Sequence, residues 1–245
     1  MNMMANLGRA RLQSMLASGI ELLRIQQDLA SRRSNLVAEL LRGQDEFFEQ
    51  QHYPAGDVFD PDTGAQYYYH AHRNETREHG HFHIFQRPHL LPERFEPVRY
   101  VKPGVGRCKP QEKIGEHWPR GEKALAHIVG VTMDNYGLPI RLFTVNRWVT
   151  DETWYSARDV IAMLDRFELR HSWPVPEVNR WINHLLRLYQ PEIVELIHRR
   201  DAAVEARGRA NPRGDALEDR SLEVTGFTEI SVERRVRQLR RALGT

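Results

Sequence analysis

Five of the chain's twelve histidines stand in one stretch, Tyr67 to Gln86: His70, His72, His79, His81 and His83. They fall at every second residue in two runs, and the polar segment Asn74-Glu75-Thr76-Arg77-Glu78 joins the runs. This predicts a β-hairpin, because side chains at i, i+2 and i+4 of a strand share a face. Imidazoles crowded on one face depress each other's pKa and stay neutral. Neutral imidazoles offer lone pairs to zinc or iron foremost, and also to copper or nickel. The expected chemistry is a mononuclear transition-metal site. His81 and His83 lead as ligands, followed by His79, His70, His72 and His127. Glu78 or Glu75 would be the base for a metal-bound water, though both also read as plain turn residues.

Alternation fixes which residues share a side. Tyr67, Tyr69 and Ala71 oppose the histidines in the first run, as Phe82 and Ile84 do in the second. A hairpin buries one face, so these apolar sides should match and put all five histidines on the other. Two pairings satisfy that parity. One sets His72 opposite His81 and His70 opposite His83; the other sets His72 opposite His79 and His70 opposite His81. The first is preferred, because its longer connection suits the polar run.

The remaining elements must hold this hairpin. Apolar residues at helical spacing from Leu12 to Leu41 predict an N-terminal helix over residues 4–43, with a break near Ser31–Ser34 and a stop at Gly43. Residues 52–66 are rich in turn formers. Residues 86–123 carry six prolines and read as a long irregular excursion, with His89 and His117 as surface residues. A second hairpin follows at 124–149, in which alternation groups His127 with Leu125, Val129, Val131 and Met133. Helices are expected from about Ser156 to Leu169 and from Pro176 onward, with a kink or restart at Pro191. A last strand lies within Leu222–Val232, before a basic helix from Glu233 to Leu243.

The fold class is α+β: an antiparallel sheet of about four or five strands flanked by N-terminal and C-terminal helices. Its parts are a helical segment at 1–50, an α+β core at 51–232 carrying the histidine hairpin, and a basic helix at 233–245. Of 245 residues, 40% are hydrophobic and 28% charged, so the chain can bury a core. No apolar run approaches the roughly 20 residues that span a bilayer. The start shows no charged segment followed by an apolar run, so no signal peptide is expected. The single cysteine, Cys108, suits a reducing cytoplasm. A net charge of +2 argues against a dedicated nucleic-acid binder. The amphipathic N-terminal helix offers a face for a homodimer.

Two motifs, HGHFHIF at His79–Phe85 and LFTVNRWVT at Leu142–Thr150, lie between helical flanks. In that order they resemble a bacterial family of uncharacterised proteins, which implies no activity. His81-Phe82-His83 is similar to the zinc-binding H-F-H of α-type carbonic anhydrases, but the rest of that all-β pattern is absent. Cupins place a glutamate where Arg87 and Pro88 stand here. Metallo-β-lactamases depart at Asn74 and Glu75, and the βα alternation of amidohydrolases is missing. No phosphate-binding glycine loop and no G-x-S-x-G occurs. Three readings stand: a metal-dependent enzyme of hydrolase, lyase or oxygenase type, a non-catalytic metal-handling protein, or a helix-mediated interaction protein.

Overall fold

The computed structural model describes residues 7–43, 51–71, 78–98, 115, 117–212 and 214–245. His72, Glu75 and Cys108 lie outside them. Six antiparallel strands form one sheet in sequence order: β1 (Tyr53–Phe59), β2 (Ala65–Ala71), β3 (Gly80–Gln86), β4 (Ala126–Met133), β5 (Pro139–Val145) and β6 (Val224–Glu229). The fold class is as expected, with one or two more strands. The extra one is β1, in the stretch read as turns. Gly56 and Asp57 there adopt φ of 85° and 58°, and a register shift separates Tyr53 from Val58. An edge strand bent in this way keeps the composition of a loop.

One face of the sheet is the main core. Tyr67, Tyr69, Phe82, Ile84, Val129, Val131 and Leu142 are all completely buried. Helices α5 (Pro176–Leu188) and α6 (Gln190–Ala210) cover this face, together with α4 (Ala157–Leu164). Trp181 of α5 meets the Phe82 ring, and Tyr67 Oη donates to Asn179 Oδ1 at 2.8 Å. Each large apolar side chain buried here contributes roughly 1.5–3 kcal/mol. Pro176 opens α5, and α6 restarts beside Pro191, since proline suits a helix's first turn and breaks its interior.

The terminal helices sit one layer further out. Helix α1 (Arg9–Ser31) packs on α5 and on α7 (Val232–Leu243). Gly19 permits that approach: a Cβ there would stand 2.6 Å from Val236. The apolar stripe of α1, Leu12, Met15, Leu22, Ile25 and Leu29, is therefore covered within the chain, and Ile20 is its exposed large apolar residue. The short helix α2 (Leu36–Leu40) follows the expected break, capped by Asn35, whose Oδ1 accepts from Ala38 N at 2.9 Å. The second hairpin ends earlier than alternation suggests. Asn146 caps a four-residue helix, α3 (Arg147–Thr150), in place of continued strand. No helix among the described residues is long and apolar enough to cross a membrane.

Candidate functional site

The other face of the sheet carries the histidines. In β2 and β3, His70 pairs with His81, Tyr68 with His83, and Tyr67 with Ile84. The parity is as expected, but the register is the second of the two pairings, not the preferred one. Gly80 supplies the reason. It lies opposite Ala71, where a Cβ would stand 2.3 Å from the His70 carbonyl oxygen. Only glycine tolerates so close a backbone, and that closeness pins the pairing.

His79 does not join the cluster. It precedes β3, and its Nδ1 meets Tyr69 Oη at 2.8 Å, a ring of the core face. The histidines at 70, 81, 83 and 127 do come together. Successive ring centroids are 5.4 Å apart for His70 and His81, 4.8 Å for His81 and His83, and 5.1 Å for His83 and His127.

His127 reaches this face through a β-bulge. The register steps from Ile84–Val129 to Phe85–His127, which leaves Ile128 as an extra residue. Strict alternation would send His127 to the core beside Val129 and Val131. The extra residue turns it over, so that its Nε2 lies 3.1 Å from His83 Nδ1. One of these nitrogens carries the proton and the other accepts it. His127 Nδ1 is buried with no hydrogen-bond partner.

Burial holds both rings neutral. His83 is driven well below the ordinary imidazole range by loss of solvent and then by His81 and His127. His127 falls to about 3, first by burial and then through Arg200. His81 sits nearer the surface, where its Nδ1 faces Glu78 Oε1 at 3.1 Å. Glu78 also lies 4.0 Å from Arg141, which pairs with Glu229 at 3.0 Å. Tyr68 and Phe85 wall one end, with His52 stacked on Tyr68 at 3.6 Å. Phe143 walls the other, 5.2 Å from the His81 ring and 5.6 Å from His83. Gly130 makes room for Phe143, since a Cβ there would strike the ring at 2.2 Å. His89 and His117 are exposed and stand apart.

Sequence reasoning missed Glu152. Asp151, in a left-handed conformation at φ 51°, ends α3 and precedes it. Glu152 is fully buried, and its Oε2 accepts from the backbone N–H of His127 at 2.6 Å. Burial lifts its carboxyl to about 7, against the opposing pull of Arg200. No local pattern announces such a contact, which joins residues 25 apart in the chain.

Among the described residues, no group of three or more His, Cys, Asp or Glu is arranged to hold a metal ion. The geometry present is one facing imidazole pair, a third ring beside it, and a carboxylate that orients that third ring. No curated protein and no solved structure matches this chain. A family model described as a domain of unknown function (DUF6969) matches residues 16–230, and the chain belongs to that family.

Proposed function

We propose that the histidine face binds one transition-metal ion, zinc or iron before copper or nickel. His83 and His127 are the inner ligands and His81 the third. The observation that carries this reading is the 3.1 Å separation of His83 Nδ1 and His127 Nε2. Two imidazole nitrogens on a tetrahedral zinc, each about 2.0–2.1 Å from it, lie roughly 3.3 Å apart. The pair is thus close to ligand spacing before any ion arrives, and both rings are already neutral as ligands must be. The His81 ring must turn from its present packing to complete a three-nitrogen set, with His70 as the outer alternative. Glu78 supports the reading, because a carboxylate on the far ring nitrogen is the usual orienting partner of a metal-bound histidine. A three-ligand ion keeps a position for water or substrate, which suits a hydrolase, lyase or oxygenase. Storage or transfer of the metal would use the same ligands.

Metal analysis of protein purified without a histidine tag tests this. Near one equivalent is expected in the wild type, and less than about a tenth in His83→Ala/His127→Ala. Wild-type protein that stays empty after exposure to zinc and to ferrous iron would overturn it.

A further inference from the structure

We infer that Glu152 is the positioning residue that fixes the bulge in β4 and so holds His127 against His83. A bulge takes backbone groups out of the ladder, and a buried N–H left without an acceptor costs about 1–3 kcal/mol. The buried N–H of His127, next to the extra residue Ile128, goes to the Glu152 carboxylate at 2.6 Å. Next to it, Thr153 N donates to the Leu125 carbonyl at 2.9 Å, so residues 152–153 replace a strand partner where β4 begins. With this acceptor in place, Ile128 can remain the extra residue and His127 can stay on the histidine face.

Residues of the second motif hold Glu152 there. Arg147, almost fully buried, donates from Nη1 to the Glu152 carbonyl at 3.0 Å and to Asp151 Oδ1 at 3.0 Å. Its Nε bonds Glu218, and its guanidinium lies 5.7 Å from the centre of the Trp118 ring. Asn146 Oδ1 accepts from Arg147 N, while its amide donates to the Ala216 carbonyl at 2.8 Å. Thr153 Oγ1 donates to the Pro119 carbonyl at 2.6 Å. Asn146, Arg147 and the turn at Asp151 therefore make a rigid bracket with Glu152 at its tip. The same motif supplies Phe143 to the wall of the site. The two motifs are two halves of one construction: one presents imidazoles, and the other sets the angle of the innermost.

The test compares Glu152→Gln, which keeps an oxygen for the His127 N–H, with Glu152→Leu, which keeps the volume and loses the acceptor. The readout needs no metal: imidazole nitrogen shifts and the hydrogen bond between His83 and His127 in metal-free protein, by NMR, with a crystal structure of each variant. The contact and the Phe85–His127 register should survive in Glu152→Gln and be lost in Glu152→Leu. Should the leucine variant not fold, Glu152→Asp, one methylene too short, is read in the same way. Persistence of the contact in Glu152→Leu or Glu152→Asp overturns the inference, as does its loss in Glu152→Gln. Zinc titration adds a second arm, which rests on the metal reading above: affinity should fall about 10–100-fold in Glu152→Leu and little in Glu152→Gln. Loss of the contact with no zinc binding by any form would sink the metal reading and leave the role of Glu152 standing.

Discussion

The same strands build two faces of the sheet, and the two are held by different forces. On the helix-covered face, Tyr67, Tyr69, Phe82 and Ile84 are completely buried, with Tyr67 and Phe82 against α5. Their order comes from apolar area and close packing, which many neighbours share. On the other face, His70, His81, His83 and His127 pack on neighbouring rings as well, but their orientation also depends on specific polar contacts: His83 with His127, His81 with Glu78, and the His127 N–H with Glu152. Stability should therefore reside mainly in the first, and chemistry in the second.

The largest effect that would break this contrast lies in the core. Trp181→Ala should cost about 3–5 kcal/mol in urea unfolding, because a fully buried indole leaves a cavity. His81→Ala, at a side chain that is 12% exposed and keeps one edge toward solvent, should cost less, about 1–2 kcal/mol in the same assay. Comparable losses for the two would mean that the faces do not differ as argued. Gly80→Ala comes next, at about 1–3 kcal/mol, since its Cβ would meet backbone of β2 and the strands must part. Its measurable signature is loss of the His70–His81 pairing in amide contacts. An unchanged register would show that Gly80 does not set the pairing.

How much of this was legible in the sequence follows from the range of each contact. The alternation from Tyr67 to Ile84 displayed the parity of the hairpin, because face assignment is a property of each strand alone. The register was not legible. It depends on the close approach of Gly80 to His70 and Ala71, which looks like an ordinary glycine in one dimension. His127 was misplaced by alternation for a similar reason: one extra residue reverses the side, and its stabiliser lies at Glu152. The helix signals at Ser31–Ser34, Gly43, Pro176 and Pro191 were readable, since stops and breakers act within a turn of themselves. Strand β1 was not, because its bend calls for turn residues.

Acid should sharpen the contrast. His83 and His127 are held below the unfolded value of 6.5, so above that pH both folded and unfolded chains keep them neutral. Below it, the unfolded chain gains protons that the folded one refuses. Stability then falls by roughly 1.4 kcal/mol per pH unit for each ring. Glu152 acts in the opposite sense. Its folded value, about 7 against 4.5, gives stability that is present at low pH and lost as pH rises through 7. Between 4.5 and 6.5 it offsets one histidine. Urea midpoints for Glu152→Gln should therefore decline more steeply from pH 6.5 to 5 than those of the wild type. Parallel slopes would contradict the assignment of these three groups.

The smallest effect on stability belongs to Glu78→Gln, within about 0.5 kcal/mol by thermal unfolding, since the amide keeps an oxygen for the 3.1 Å contact with His81 and the pair with Arg141, at 4.0 Å, is long. Zinc affinity should nonetheless drop about tenfold by calorimetric titration, because His81 would lose its orienting carboxylate. A drop in stability with affinity intact would reverse the role given to this residue.

The most direct test is a crystal of tag-free protein soaked in zinc and measured at the zinc absorption edge. The account predicts one anomalous peak, about 2.0–2.1 Å from both His83 Nδ1 and His127 Nε2, with the His81 ring turned toward it. An empty histidine face, with those two nitrogens still 3.1 Å apart and sharing a proton, would contradict it.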